Sequence, residues 1–543
     1  MGGENNRLPL IFQHSFKENG EGRGGLGAEF ATSGGRLAVL IALAGALLVT
    51  ASLWAGTVRA QTVPVRSYAQ PGTPAPAAVP GPELPLTLPE AVYLGLRQNS
   101  AVRGAYLQRV LDSFNLRVAE SLFSPKGVLI ASALVDRTGS GRNGELRVAP
   151  TVQLLTPLGT TISFGWDVGQ RAGRQTGNGQ VGNGMLAGSS DLTLSVIQPL
   201  LRGAGPDVAT APLRQARLEE RYNRLRLKST VAATVTEIVG AYHQFLQARQ
   251  QIALARTALD RARELETTNQ ALIRAGRMAE AELVQAQSTA VNQELAVLQA
   301  ESGFDAARLR LLGLLALDLN TRIVPSDRLT AEPVRVELET ARALAFENRP
   351  DYLSQIISNE AAKIGLDVAR NQRLWDLTVV AGVSLPGSGR TGLRASERLP
   401  STKTDLRAGI QLSIPINNPA IEQQEVQANV GLRQAEVQLD QLRIQVETQV
   451  RDGVRDLEAS WRRYTLSRRS RELAERTLAV ETVKLRAGRS TNFQVVAFQD
   501  QLRAAESAEL GTLIAYLDSL VALDQLLGTT LDTWRIELND AVH

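Results

Sequence analysis

Residues 405–414 alternate strictly between apolar and polar side chains. The apolar positions are Leu406, Ala408, Ile410, Leu412 and Ile414, and the positions between them include Asp405, Arg407, Gln411 and Ser413. A period of two predicts a β-strand with one face against apolar material and the other against water. Similar alternation predicts strands at residues 377–385, around residues 192–196 and at residues 162–168.

Two other stretches lack the residues that break helices. No proline occurs between Pro212 and Pro325 or after Pro419, and Gly240 is the only glycine in residues 212–275. A helix of about 60 residues there would reach about 90 Å at 1.5 Å per residue. The steps of four and three that mark a coiled-coil seam join Val450, Val454, Leu457, Trp461 and Tyr464. Polar residues elsewhere on these helices indicate that their other faces contact water.

The chain carries an internal duplication. The segment LPEAVYLGLRQNSAV from Leu88 matches LETARALAFENRPDY from Leu338, and an Arg-Ala-Gly tripeptide occurs at residues 274–276 and again at 486–488. A repeat of about 215 to 250 residues is longer than a solenoid unit and indicates two copies of one domain. We assign the first structural repeat to residues 86–325 and the second to 326–538. Each runs from short helices through strands to long helices, and Thr87 with Glu90 predicts a capping box at the first helix.

The N-terminal segment resembles an export signal. An apolar run at residues 37–56 follows Arg36, and a Val-Arg-Ala sequence ends at Ala60. We therefore predict a secretory signal peptide at residues 1–60. A membrane anchor is the alternative, because the run approaches the length of a spanning helix. Residues 61–85 are rich in Pro and Ala and are predicted to be an extended linker.

Composition leaves little chemistry for catalysis. The 543 residues include no cysteine and three histidines, with a net charge of +4. Disulfides and thiolate metal sites are therefore excluded, and an imidazole metal site has few ligands. His243 is interpreted as a helix-packing residue, and the G-x-G-x-x-G pattern at residues 177–182 as a surface loop. Interleaved charges argue against nucleic-acid binding. We predict neither an enzyme nor a cofactor.

The alternating strands allow two interpretations. In a soluble sandwich, the apolar face packs on another sheet. In an outer-membrane barrel, it faces lipid and the polar face borders a lumen. A barrel in lipid must close, and four to six strands are too few to enclose a useful lumen. If these strands span a membrane, several chains must share one barrel.

The chain resembles the TolC-like outer membrane efflux proteins. The resemblance rests on the long helices, the duplicated halves, the strand hairpins, the two R-A-G turns, the openings L-P-E-A…R-Q-N-S and F-E-N-R-P-D, and the stretch IQPLLRGAG from Ile197. It implies a mostly α fold with a transmembrane β-barrel. Duplicated helix–strand–strand–helix repeats would form a homotrimer, each copy giving four strands to a twelve-stranded barrel that continues as a long α-helical periplasmic barrel.

The resemblance also implies a function and partners. It implies an outer-membrane channel of a tripartite efflux or type I secretion system, embedded in outer-membrane lipid with a long periplasmic extension. The channel would passively conduct substrates delivered by a periplasmic adaptor protein and an inner-membrane transporter. The cargo is not indicated. A periplasmic adaptor and a soluble coiled-coil scaffold are the alternatives, and an adaptor should show a single helical hairpin.

Three sets of site residues follow from the resemblance. The adaptor-contacting periplasmic tips are expected at Arg274, Ala275, Gly276, Arg277, Arg486, Ala487, Gly488 and Arg489. Candidates for the channel constriction are Glu282, Gln494 and Ala497, of which only Glu282 is acidic, whereas tightly closing relatives carry acids in the second half. The expected barrel-lumen residues are Asp405, Arg407, Gln411 and Ser413.

Overall fold

The computed structural model describes residues 84–138, 141–177, 180–181, 185–397, 399 and 404–538. The signal peptide at residues 1–60 and nearly all of the linker lie outside the described residues, and both stay predictions. The last linker residues, Leu84 and Pro85, belong to a short strand.

The described elements follow one order in both halves of the chain. The strands are β1 (Leu84–Leu86), β2 (Lys126–Thr138), β3 (Gly141–Leu155), β4 (Thr161–Gly177), β5 (Gln180–Val181), β6 (Met185–Pro199), β7 (Ile323–Pro325), β8 (Asp376–Gly389) and β9 (Asp405–Ser413). The helices are α1 (Leu88–Gln98), α2 (Ser100–Glu120), α3 (Pro206–Ala209), α4 (Ala211–Arg274), α5 (Ala281–Leu314), α6 (Leu338–Asn348), α7 (Pro350–Gln372), α8 (Gly392–Glu397), α9 (Pro419–Arg486), α10 (Asn492–Leu527) and α11 (Thr530–Thr533). The helix pair α1–α2, the sheet strands and the hairpin α4–α5 thus recur as α6–α7, β8–β9 and α9–α10.

The predicted breaker-free segments form the two longest described helices. Helix α4 has 64 residues and α9 has 68, which gives lengths of about 96 Å and 102 Å at 1.5 Å per residue. The predicted seam on α9 is present, because Val450 is 0% and Leu457 is 1% exposed. Trp461 continues it, with its ring centroid 5.0 Å from that of Tyr516 on α10. The capping box at α1 is also confirmed, since Glu90 accepts a hydrogen bond from the Thr87 amide at 2.9 Å.

Four helices lie side by side at each level of the helical part. Nearest the sheet, α2 contacts α4, α4 contacts α7, and α7 contacts α9. Toward the hairpin turns, the order is α5, α4, α10 and α9. Among the described residues, α10 alone is long and apolar enough to cross a membrane. Helix α10 packs against α9 and α4 in this row, and this packing accounts for its apolar composition without a membrane span.

The main sheet contains six long strands in the order β2-β3-β4-β6-β8-β9, and every neighbouring pair is antiparallel. Strands β4, β6, β8 and β9 are the ones that alternation predicts. Strands β2 and β3 bring the sheet of one chain to six long strands, two more than the four per copy that the resemblance implies; the number of strands that each copy gives to a barrel stays a prediction. The sheet is open, and its terminal strands β2 and β9 each have one partner strand within the described part of the chain.

The two additional strands lack a clean alternation signal. Strand β2 reads KGVLIASALVDRT and is apolar on both faces, so it shows no period of two. Strand β3 contains Pro150, and a proline within a segment argues against assigning that segment as a central strand from sequence. Within β3, Leu146, Val148 and Val152 nevertheless keep the alternation on either side of that proline.

Candidate functional site

The register of the five strands from β9 to β3 aligns their apolar positions on one face of the sheet. Leu406 pairs with Val383, Val383 with Leu194, and Leu194 with Phe164. Phe164 then pairs with Val152 of β3. Leu406 is 80% and Phe164 is 45% exposed. A continuous exposed apolar face of this extent is unusual for a protein surface in water and indicates contact with lipid or another apolar surface.

The opposite face of the sheet is polar and carries the predicted lumen residues. Asp405 pairs with Ser384 and Gln411 with Thr378, so these four side chains lie on the same face. Farther along this face, an ion pair joins Arg147 of β3 to Asp167 of β4. Arg171 and Glu145 form a second one at 3.1 Å. Asp405, Arg407, Gln411 and Ser413 therefore share a polar face with charged side chains of β3 and β4, and their contact with a lumen stays a prediction.

The apolar face has the height of a membrane band. On β8 it runs from Leu377 to Leu385, which spans about 21 Å along the barrel axis for strands tilted by about 40°. Trp375 lies just before Leu377, at the end of the apolar face nearest the helices, and is 54% exposed. Leu192 pairs with Trp166 on one side and with Leu385 on the other, so Trp166 lies at the same height as Leu385. Trp166 is half-buried, and its Nε1 donates to Ser190 Oγ at 3.0 Å, whereas the exposed Trp375 has the setting of an aromatic residue at the edge of a membrane band.

Beyond this band, helix α8 packs against the sheet where the strands carry glycine. A Cβ added at Gly387 would overlap the backbone oxygen of Ala395, and one at Gly389 would lie 2.8 Å from the Ala395 amide nitrogen. Ala395 is fully buried. The absence of side chains at these strand positions lets the α8 backbone approach the sheet directly.

The two predicted tips have the same backbone geometry. Helix α4 ends at Arg274, and Gly276 has a φ of +69°. The Arg277 amide donates to the Leu272 carbonyl oxygen at 2.9 Å, and the Gly276 amide donates to Ile273 at 2.9 Å. This pair of hydrogen bonds is the Schellman motif, which ends a helix with a residue in the left-handed region.

The second tip repeats each feature of the first. Gly488 has a φ of +71° after the end of α9. The Arg489 amide donates to Lys484 at 2.8 Å, and the Gly488 amide donates to Leu485 at 2.9 Å. The Arg-Ala-Gly repeat seen in the sequence is thus a repeat of one helix-ending motif, and both glycines are required by a positive φ.

Most of the tip arginines have no acidic partner. Arg274, Arg277 and Arg489 are exposed and form no ion pair among the described residues. Arg486 lies 3.4 Å from Glu264 of α4, and both side chains are mostly exposed. Such exposed pairs contribute little to stability. The second tip therefore presents exposed arginines, whereas the first tip presents Arg274 and Arg277 together with the exposed Glu280.

The structure joins the two tips through a buried amide pair that local sequence patterns do not indicate. The Asn269 side chain on α4 donates to Asn492 Oδ1 on α10 at 2.9 Å, and both residues are 0% exposed. Asn492 donates in turn to the Glu282 backbone oxygen at 3.3 Å. Buried amides need such partners, because an unpaired one costs about 1–3 kcal/mol.

The three constriction candidates have different local roles. Gln494 completes a capping box with Thr491 at the start of α10, a signature that the T-N-F-Q sequence contains. Glu282 lies in the first turn of α5 and is half-buried, without an ion pair among the described residues. Ala497 is exposed on α10. Their part in a constriction stays a prediction.

A buried carboxylate supports the second tip. Glu481 is 7% exposed and accepts hydrogen bonds from Ser490 Oγ and from Lys484 Nζ, the latter at 3.0 Å. The Ser490 hydroxyl first, and Lys484 second, lower the pKa of Glu481 below its ordinary value. The charged form of Glu481 therefore ties the turn after Gly488 to the end of α9.

Farther from the tips, polar pairs join the two repeats. His243 Nδ1 on α4 lies 2.7 Å from Asp518 Oδ1 on α10, and His243 is 6% exposed. Arg261 on α4 forms two hydrogen bonds with Glu506 on α10, at 3.0 Å and 2.8 Å. The structure thus gives His243 a packing role between helices. Among the described residues, no group of three or more His, Cys, Asp or Glu side chains is placed to hold a metal ion.

The sequence comparisons are negative, whereas the structure comparison is not. No family model matches the sequence, and no curated protein sequence matches it. The outer membrane protein VceC of Vibrio cholerae has a similar structure with a TM-score of 0.60, covering 81% of this chain and 96% of VceC at 15% identity. The chain has the fold of outer-membrane channels.

Two further structures share this TolC-like fold. The CmeC outer membrane channel of Campylobacter jejuni aligns with a TM-score of 0.61 and 14% identity, covering 82% of this chain and 86% of CmeC. The open state of the MtrE outer membrane channel of Neisseria gonorrhoeae aligns with a TM-score of 0.59 and 14% identity, covering 82% of this chain and 89% of MtrE. The resemblance expected from sequence is confirmed for the fold.

Proposed function

We propose that this chain is the outer-membrane channel of a tripartite efflux or type I secretion system and that it conducts its cargo without catalysis. The observation that carries the proposal is a sheet with one apolar and one polar face, joined to helices of about 96 Å and 102 Å. Its similarity to outer-membrane channels supports the same conclusion.

The open sheet requires several copies of the chain. An unpaired strand edge in lipid leaves backbone amide and carbonyl groups without partners, at several kcal/mol for each group. Strands β2 and β9 are both edges of this kind within one chain. Pairing β9 of one copy with β2 of the next removes both edges, and we propose three copies from the resemblance to the TolC-like family.

The helices closest to the sheet support the same assembly. Helix α7 lies between α4 and α9 of its own chain, whereas its repeat counterpart α2 packs chiefly on α4. The far side of α2 bears an exposed apolar stripe, formed by Leu107, Val110, Leu111, Phe114 and Val118. Exposed stripes of this kind mark contacts with another protein surface. By the repeat, this stripe packs on α9 of a neighbouring copy.

Helix α9 carries a surface suited to this contact. Val430, Val437 and Ile444 recur at intervals of seven and are 47%, 55% and 67% exposed. A heptad of apolar residues is the pattern of a helix–helix seam. Nearer the tips, Val284, Val291 and Leu298 form a second exposed heptad on α5. The repeat counterparts of α9 and α5 are α4 and α10, and those two helices are already covered within the chain.

The tips are the proposed contact for the adaptor. Arg277 and Arg489 follow the two Schellman glycines and have no acidic partner among the described residues. Phe493, two residues after the second turn's Thr491, is 68% exposed. Arginine and aromatic residues are enriched where proteins bind each other. An adaptor with acidic side chains around an apolar pocket would complement this surface.

Membrane location and conduction are tested together. We expect the full chain to fractionate with the outer membrane, to migrate as a heat-modifiable trimer on detergent gels and to form discrete channels in planar bilayers. The matched control is the same preparation after boiling, which should conduct nothing. A monomer that stays soluble without detergent would contradict the proposal.

The adaptor alternative predicts a different repeat content. An adaptor is expected to have one helical hairpin, but this chain has two, α4–α5 and α9–α10, each preceded by strands of a shared sheet. A soluble scaffold would leave the exposed apolar sheet face in water, which is unfavourable. The cargo is identified by susceptibility profiling of a deletion strain against dyes, antibiotics and metals, with secreted proteins compared in parallel.

A further inference from the structure

We infer that each copy of this chain contributes six strands to the shared barrel, so that three copies build an eighteen-stranded wall instead of a twelve-stranded one. This inference rests on the proposed function, because it needs a barrel shared by copies. It assigns β2 and β9 as the joining edges and makes the outer pore wider than four strands per copy would.

The hairpin β2–β3 belongs to the same wall as the other strands. Its backbone pairing is continuous from Lys126 opposite Gln153 to Thr138 opposite Gly141. Strand β3 pairs with β4 and keeps the two-faced pattern, with Leu146 and Val152 on the apolar side. On the polar side, the ion pair between Arg147 and Asp167 crosses from β3 to β4. A hairpin outside the membrane would have no need of this apolar face.

Strand β2 is an edge that must be covered. It is apolar on both faces, and Leu129, Leu134 and Val135 are 68%, 63% and 65% exposed. Natural edge strands that face solvent carry charges or prolines that block pairing. Strand β2 has no proline, and its charged residues Lys126, Asp136 and Arg137 lie near its two ends, so the nine residues 127–135 between them are uncharged. A long unprotected edge of this kind requires a partner strand.

Strand directions allow a second copy to supply that partner. The sheet has six strands in alternating directions, so β2 and β9 run in opposite directions. Pairing β9 with β2 of the next copy is therefore antiparallel, like every other joint in the main sheet. An even number of strands per copy closes a ring without a parallel joint.

The widths of the sheet and of the helical row agree. Six strands spaced by about 4.8 Å and tilted by about 40° occupy about 38 Å of circumference, whereas four would occupy about 25 Å. The four helices beneath occupy about 32–40 Å at spacings of 8–10 Å. Six strands therefore match the circumference occupied by the four helices more closely than four strands do.

The repeat also gives the register of the new joint. Within one chain, the repeats meet where β6 pairs with β8, and Thr193 lies opposite Ser384. The Leu-Trp pair at residues 374–375 before β8 corresponds to Leu122-Phe123 before β2, and the Ile-x-Pro ending at Pro199 corresponds to Ser-Ile-Pro ending at Pro415. These correspondences place Ser132 opposite Gly409 of the neighbouring copy. Both lie on the polar face.

A wider wall changes what the outer pore can exclude. Three copies with six strands each give a barrel diameter of about 36 Å between backbones, whereas three copies with four strands each give about 24 Å. Barrels of 16–18 strands leave an open aqueous channel. The barrel then imposes no size limit on small solutes, and selection falls to the tips.

Disulfide cross-linking tests the joint in the full chain, which has no cysteine of its own. The variant Ser132→Cys with Gly409→Cys is purified in detergent, oxidised and run on a denaturing gel without reductant. We expect linked dimers and trimers from this pair and weaker linking when the second cysteine is at Arg407 or Gln411. The matched control is Thr193→Cys with Ser384→Cys, the equivalent pair, which should link within one chain.

A second series separates the two strand counts. Ser163→Cys on β4 is combined with the same β9 positions, because β4 would become the joining edge if β2 and β3 left the wall. Links between chains from Ser163, with none from Ser132, would overturn the eighteen-stranded wall and leave the proposed function intact. The absence of links between chains in both series, with the internal control linked, would overturn the shared barrel and the proposed function together.

Discussion

The paired tip motifs permit a quantitative test, because two glycines occupy the same backbone conformation at equivalent sites. Gly276 and Gly488 have φ values of +69° and +71°. No atom lies within 4 Å of a Cβ added at either position. Replacement by alanine therefore introduces no clash, and its cost is the conformational one of about 1–2 kcal/mol for an L-residue in the left-handed region.

The expected effect is local loosening of each turn. The Arg277 and Arg489 amides close the two Schellman motifs. A loss of 1–2 kcal/mol corresponds to about a 5- to 30-fold change in the open population. We expect hydrogen exchange of tip peptides to accelerate by about this factor in Gly276→Ala and Gly488→Ala, as measured by mass spectrometry on the assembled protein.

Two control variants make the result specific. Gly240→Ala lies inside α4 with free space around the added Cβ, so it should leave the tips unchanged and stabilise the helix by about 0.5–1 kcal/mol. Gly488→Asn should cost less than Gly488→Ala, because asparagine tolerates positive φ better. Unchanged exchange at both tips in the alanine variants would refute the assignment of these glycines to strained turns.

Three further predictions concern other parts of the molecule. Gly387→Ala should detach α8 and expose the loop to protease, because its Cβ overlaps the Ala395 backbone, whereas Gly409→Ala has free space and should not; equal cleavage would contradict this. Phe114→Asp should abolish the trimer on native gels, since burying Phe114 contributes about 1.5–3 kcal/mol per copy; an intact trimer would remove α2 from the interface. Ser490→Ala should raise the pKa of Glu481 toward its ordinary value of 4.5, as followed by carboxyl NMR; an unchanged pKa would remove the hydroxyl's role.

The Glu481 prediction has a defined direction with pH. Its folded-state pKa is lowered, so its contribution to stability is complete above the ordinary value of 4.5. That contribution falls as the pH drops from 4.5 through the folded-state pKa. Acid should therefore loosen the second tip before the first, whose equivalent position is Asn269. Equal loosening of both tips in acid would contradict this assignment.

Local sequence patterns predict the elements whose causes are local. Missing prolines predict α4 and α9, and a Thr–Glu spacing predicts the cap of α1. Alternation predicts β8 and β9, although only that of β9 is strict, because Val380 interrupts the pattern in β8. The Arg-Ala-Gly repeat predicts both turns, because glycine after a helix favours the left-handed conformation.

The features that the sequence did not reveal depend on distant contacts or on environment. The pair Asn269–Asn492 joins residues more than 200 positions apart, so neither asparagine has a local signature. Strand β2 is apolar on both faces, and its identity as a strand comes from pairing with β3. Gly387 is needed only because Ala395 packs over it. In each case the residue's role is set by a partner that the local pattern does not contain.

The duplication explains why one chain leaves so much apolar surface uncovered. Two repeats placed side by side form one joint between them, in which α7 covers the groove of α4 and α9 and β6 pairs with β8. The outer side of each repeat then lacks the same contact, which leaves α2, α5, β2 and β9 exposed. In the proposed trimer, a neighbouring copy that reuses the internal joint would cover all four elements at once, with helix and strand directions unchanged. The β6–β8 joint is therefore the best available template for the contact between copies, and substitutions there and at the β9–β2 joint should have parallel effects.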